Sequence, residues 1–240
     1  MTGTQRIHFT DAALVRLLAG WRGQPDAGTA TGLIDQLSGW LRWTDAQPLF
    51  DALQDAVAVA PRAADEDASI EGAQADCQGV HDLLTRALVN DAPWREAPRP
   101  QRRSVSAGWI AQAAAPQETT FDFPTYRRHY MAQQQHMDDR ITALRARLRR
   151  ALQLRSPALA RLAALDAVME RLLGEPERRL LAVMPAQLEQ RFAQLGAGAT
   201  PAAQTGWQAR FQQELDSMLH ADLDLRWQPI QGLLAALRTV

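Results

Sequence analysis

At 240 residues, 46% hydrophobic and 22% charged, the chain is long enough and apolar enough to bury a proper core, which excludes wholesale disorder. A single cysteine, Cys77, excludes an intrachain disulfide, and no apolar run approaches the ~20 residues that a bilayer-spanning helix requires. The formal net charge of −1 argues against a uniformly basic or acidic surface but hides a strong internal asymmetry, and every one of the 26 cations is an arginine. Each is therefore a planar guanidinium suited to carboxylate or phosphate forks and to stacking on aromatic rings.

Apolar residues recur with helical spacing from the start of the chain. Thr10-Asp11 opens a segment whose Leu14, Leu17, Leu18 and Trp21 share a face, and Leu33, Leu37, Trp40 and Leu41 form the next stripe. Thr44 and Gln47 are spaced as a capping box ahead of Leu49, Leu53, Val57 and Ala60. Ile70, Ala73, Cys77, Val80, Leu84 and Leu88 make a fourth stripe. Residues 1–90 thus read as an acidic bundle of short helices, and the polar stretch Met1 to Phe9 lacks the apolar core of a signal peptide, so a reducing cytoplasm is expected. Residues 91–122 read as a linker, broken by Pro93, Pro98, Pro100 and Pro116 and carrying four clustered arginines. Trp94 and Trp109 within it are costly to leave in water and are expected to dock on the chain's own bundle or on a partner.

Residues 123–240 read as a second bundle. Its first helix runs to about Leu154 without Gly or an interior Pro, ~45 Å at 1.5 Å per residue, and is the longest uninterrupted pattern in the chain. Met137, Ile141, Leu144, Leu148 and Ala151 form a two-heptad seam, too short for a free-standing coiled coil and better suited to bundle packing. Ser156-Pro157 has the cap-then-proline order of a helix start. Gly174-Glu175-Pro176 is expected to turn the chain, Pro185 to kink or split the following helix, Thr200-Pro201 to open the next, and Pro229 to end it. No run of alternating β-branched residues occurs, so the expected fold class is all-α.

Charge divides the chain. Residues 1–90 hold six arginines against twelve acids, residues 91–155 twelve against six, and residues 156–240 eight against nine. The basic middle can pair with the acidic front, meet an acidic partner, or lie against phosphates, where each contact adds salt-dependent affinity. The residues expected to meet a partner or nucleic acid are Arg95, Arg99, Arg102, Arg103, Arg145, Arg147, Arg149 and Arg150, with Trp94 and Trp109 as docking anchors. His129 and His136 share a helix face without a third ligand, adjacent acids such as Asp138 and Asp139 diverge by about 100° on a helix, and no phosphate loop or nucleophile elbow occurs. Asp166, flanked by Leu165 and Ala167, is expected to be partly buried against a cation such as Arg161 or Arg178. No catalytic residue, metal or cofactor is expected.

Three stretches carry a resemblance: FPTYRRHYMAQQQHMDDRITALRARLRRAL from Phe123, LAALDAVMERLLGEPERRLLAVMPAQLEQRFAQL from Leu162, and LDLRWQPIQGLLAALR from Leu223. Over about residues 121–240 the chain resembles a bacterial protein family of unknown function similar to the soluble accessory components of type III Zorya anti-phage defence systems. Other members of those systems resemble flagellar stator and peptidoglycan-binding OmpA-like proteins. The resemblance implies a non-catalytic cytoplasmic role in defence, with a sister accessory protein, a stator-like membrane complex or DNA as partner, and brings no active-site residue. A nuclease effector or a structural helical homodimer are the rival expectations.

Overall fold

The computed structural model describes Trp21 and residues 45–54, 69–94, 122–197 and 204–239. Among these the chain is all-α, with six helices: α1 (Ala46–Gln54), α2 (Ile70–Asn90), α3 (Phe123–Arg155), α4 (Pro157–Ala182), α5 (Met184–Gly196) and α6 (Gln204–Arg238). Helix starts follow local chemistry. Ser69 Oγ accepts from the Gly72 amide at 2.9 Å, Asp122 Oδ1 from the Thr125 amide at 3.3 Å, and Ser156 Oγ from the Leu159 amide at 3.3 Å, each satisfying a donor that the first turn leaves orphaned. Pro124 and Pro157 fall in the first turn, where a missing N–H costs nothing.

Cross-helix contacts set the topology. Tyr126 meets Gln212, Gln134 meets Asp222 and Asp138 meets Arg226, so α3 and α6 run parallel. Arg147 meets Asp76 while Trp94 stacks on Tyr126 and His129, so α2 runs antiparallel to α3. Arg191 of α5 meets Glu214 of α6, and the α4–α5 arm returns antiparallel to both. The result is a four-membered bundle of α2, α3, α4–α5 and α6, in which α3 and α6 pack together and α2 and α4–α5 flank them. The seam of α3 faces inward, with Met137 and Leu144 fully buried and Leu148 nearly so. From the other helices Leu84, Leu88, Leu188, Phe211, Leu215, Met218, Leu219, Ile230 and Leu237 complete one continuous core. Helix α2 joins that core directly through Ala73, Cys77, Leu84 and Leu88, and Trp21 packs against it as well.

Three expected breaks have different fates. The chain does divide at Pro185: α4 ends at Ala182 and α5 begins at Met184. Gly174-Glu175-Pro176 does not turn the chain, because α4 continues through Pro176 to Ala182, and Pro229 lies inside α6 rather than ending it. An interior proline costs about 3 kcal/mol, whereas full burial of one Ile or Leu returns about 1.5–3 kcal/mol. Trp227, Ile230, Leu233 and Leu237 all bury beside or beyond Pro229, which outweighs its cost. In consequence α6, with 35 residues, exceeds α3, with 33. The stripe expected on α1 is also rotated: Ala52 is the buried residue and Leu53 is exposed, with Phe50 exposed beside it. Helix α1 lies on α4, whose sequence is apolar on two faces, Leu159 and Ala163 toward the core and Leu165, Val168 and Leu172 on the opposite side. The Thr44 half of the capping box, Val57 and Ala60, the stripes before residue 45 other than Trp21, and Thr200-Pro201 lie outside the described residues.

Candidate functional site

Guanidinium forks clip the helices together, and they account for most of the arginines that the sequence marks on α3. Arg145 reaches Asp166 of α4 in a bidentate fork, Nε to Oδ2 at 2.8 Å and Nη2 to Oδ1 at 2.6 Å. Arg149, one turn on, bridges Asp166 at 3.2 Å and Glu170 at 2.5 Å through Nη1. Asp166 is thus partly buried and ion-paired, as its apolar neighbours suggest, but its partners are Arg145 and Arg149 rather than Arg161 or Arg178. The spacing explains it: residues 145 and 149 lie on one face, opposite the one-turn pair Asp166 and Glu170. Arg147, on another face, forks to Asp76 of α2 at 2.7 and 3.0 Å. Arg150 is exposed and takes part in none of the ion pairs found among the described residues. Trp94 is half-buried on Tyr126 and His129, ring centroids 5.0 and 4.8 Å away, so it docks on the chain's own bundle. Arg95, Arg99, Arg102, Arg103 and Trp109 lie outside the described residues.

Sequence reading missed a deeper cluster at the junction of α3, α4 and α6. Arg226 donates from Nη2 to the Gln134 carbonyl at 2.7 Å and from Nε to both oxygens of Asp222 at 3.2 and 3.1 Å. Its Nη1 faces Asp138 at 3.3 Å and Glu177 at 3.9 Å. Gln134 Nε2 completes the ring by donating to Asp222 Oδ2 at 2.5 Å. One guanidinium therefore answers three carboxylates from three helices. Burial pushes the Asp222 carboxyl above its ordinary value, against the opposing pull of Arg226 and of the Gln134 hydrogen bond. Glu177 is displaced the same way, by burial first and then by Asp222 and Asp138, with Arg226 opposing. The nearby Tyr130 phenol is raised by burial and by Asp222, so it stays neutral. The cluster escapes detection in sequence because its members lie 4 to 92 positions apart and only the parallel register of α3 and α6 unites them.

Aromatic side chains collect at the end of the bundle where α3 starts. Tyr126 touches Trp94, Phe192 and Phe211, Phe192 also meets Trp207 and Phe123, and the Tyr126 hydroxyl accepts from Gln212 at 2.9 Å. Trp94 and Asp122, the residues that bound the arginine-rich stretch, both belong to this end. Cys77 sits in the α2 interface, its thiol pushed up to about 11 by burial and by Asp76, so it is not a poised nucleophile. Among the described residues no His, Cys, Asp and Glu cluster has metal-binding geometry, and no helix is long and apolar enough to cross a membrane.

No curated protein and no solved structure matches the chain. A family match spans residues 1–239, and by it the chain belongs to the family described as protein of unknown function (DUF3348).

Proposed function

We propose that this chain is a non-catalytic accessory protein that works by binding a partner, with the arginine-rich stretch between α2 and α3 as its contact region. One observation carries the reading. Trp94 docks on Tyr126 and His129 while Asp122 caps the start of the same helix, so the two residues that bound the stretch carrying Arg95, Arg99, Arg102 and Arg103 lie at one end of the bundle. Tethering four cations near one place raises their joint effective concentration toward an acidic surface. Arg145 and Arg149 are engaged in clamping α3 to α4, whereas Arg150 is exposed. Trp109 is the remaining candidate anchor.

The resemblance to type III Zorya accessory components supplies the setting: anti-phage defence on the cytoplasmic side, with a sister accessory protein or the cytoplasmic part of a stator-like membrane complex as partner. Replacing all four linker arginines by Glu tests the reading. Loss of partner binding and of phage protection, with an unchanged helical spectrum and melting temperature, is the expected outcome. Intact binding and protection in the variant would refute it. Binding to DNA rather than protein would show as capture that nuclease treatment abolishes, with affinity falling steeply in salt. Metal-dependent DNA degradation by the pure protein would replace the reading with an enzymatic one.

A further inference from the structure

Two other long-helix interfaces share a device that α2 lacks. Between α3 and α4, and between α5 and α6, the clips are forks whose side chains are largely withdrawn from water: Arg145 with Asp166 at 14% and 12% exposure, and Arg191 with Glu214 at 16% and 18%. Between α3 and α6, Gln134 bonds the buried Arg226–Asp222 pair of α6. The fork on α2, Asp76 with Arg147, is 40% and 52% exposed. Exposed pairs contribute little and are screened by salt. A further polar link is Gln74, whose amide oxygen, in the orientation that satisfies both ends of the amide, accepts from Arg238 at 2.8 and 3.2 Å.

Apolar anchoring of α2 is also uneven along its length. Its C-terminal half buries Leu84 and Leu88 at 1% exposure each and is followed, four residues on, by the docked Trp94. Its N-terminal half offers the core only Ala73 and Cys77 as buried side chains, at 7% and 5% exposure, with Val80 partly buried. Small side chains return little transfer energy, so the first turns of α2 are held less firmly than its last. Charge points the same way. Residues 70–90 hold Glu71, Asp76 and Asp82 against Arg86, while α3 holds eight arginines against two acids, and Arg140 and Arg147, seven apart, share the face toward α2.

We propose that the N-terminal half of α2 is a displaceable cover over a groove between α3 and α6, and that the uncovered groove accepts an acidic amphipathic helix of a partner protein. The resident α2 shows the chemistry the groove takes: an apolar stripe for the core and a carboxylate placed for Arg147. A partner helix with larger apolar residues where α2 has Ala73 and Cys77 would compete, while Trp94 keeps the far end of α2 docked. This rests on the partner-binding reading above and specifies how the partner is engaged.

Cys77, the chain's sole cysteine and buried beneath this half of α2, reports the opening directly. The experiment follows the reaction of the full-length protein with an aromatic disulfide reagent under native conditions, with and without a synthetic peptide. The peptide carries residues 69–90 with Cys77→Ser and bears its own Asp76. Wild-type protein should label faster than global unfolding allows, with a rate nearly independent of low denaturant. Arg147→Asp should accelerate labelling by about two- to fivefold, and the charge swap Arg147→Asp with Asp76→Arg should restore the slow rate. Peptide should accelerate labelling saturably, and a peptide carrying Asp76→Arg should do so less. Labelling that tracks global unfolding, together with no effect of peptide on the wild-type chain, would overturn the proposal. The two readings fail separately: capture of a partner while Cys77 stays shut removes only the displaceable cover, and an opening Cys77 in a chain that captures no partner removes the function.

Discussion

Replacing Arg226 by Ala removes the cation shared by Asp222, Asp138 and Glu177. Asp222 is 1% exposed, so its carboxylate would remain in the core with only the Gln134 amide as donor, while Gln134 would lose the guanidinium bonded to its carbonyl. Stranding one member of a buried pair costs about 3–5 kcal/mol, a large share of the ~5–15 kcal/mol that holds a domain folded. Urea unfolding followed by the helical circular dichroism signal measures it, as a lower midpoint at unchanged slope. The pH dependence follows from linkage. Asp222 already has a folded value above its unfolded one, so the folded chain binds the proton more readily, and the group's contribution to stability rises as pH falls through the raised value. Removing Arg226 raises that value further, so the loss in the variant should be largest at neutral pH and shrink in mild acid. Replacing Arg226 and Asp222 together by Met and Leu should cost far less than Arg226→Ala alone, because no charge is left stranded. A loss below about 1 kcal/mol for Arg226→Ala, against the 3–5 expected for a stranded charge, would show that water reaches the cluster and that the argument from burial is wrong.

Arg191→Ala should cost about 1–3 kcal/mol at neutral pH by breaking the fork to Glu214. Burial raises the Glu214 carboxyl, but hydrogen bonds from Arg191 and Arg210 outweigh it and leave the value lowered, so the difference from wild type should disappear as pH falls through that value. Leu84→Ala, at 1% exposure, should lose about 2–5 kcal/mol in chemical denaturation, whereas Leu83→Ala, at 37%, should stay within about 0.5 kcal/mol of wild type. Ser156→Ala should cost about 0.5–2 kcal/mol, since the hydroxyl caps α4, and replacement by Asp should recover most of the loss.

Short-range signals were the legible part of the fold. Capping at Ser156 depends on the chemistry of one turn, and the stripes Met137 to Ala151 and Ala73 to Leu88 depend on periodicity within one helix, so each could be read without neighbours. Pro176 and Pro229 could not, because whether a proline ends a helix depends on the burial available beyond it, and Ile230, Leu233 and Leu237 find theirs on other helices. For α1 a fixed 100° step put Leu53 inward where the contact with α4 selects Ala52. The charge map gave the basic helix but not its partners, since Asp166 and Asp76 lie 21 and 71 residues from the arginines that fork to them. The cluster around Arg226 required the α3–α6 register, which no local pattern encodes.

Capture of the full-length tagged chain from cells that also express its neighbouring genes, run with nuclease and beside the variant with Glu at positions 95, 99, 102 and 103, tests the central claim most directly. The account predicts a defined protein partner that survives nuclease, binds the wild-type chain and is lost from an equally folded variant. A wild-type chain that retains nothing the variant loses would contradict it.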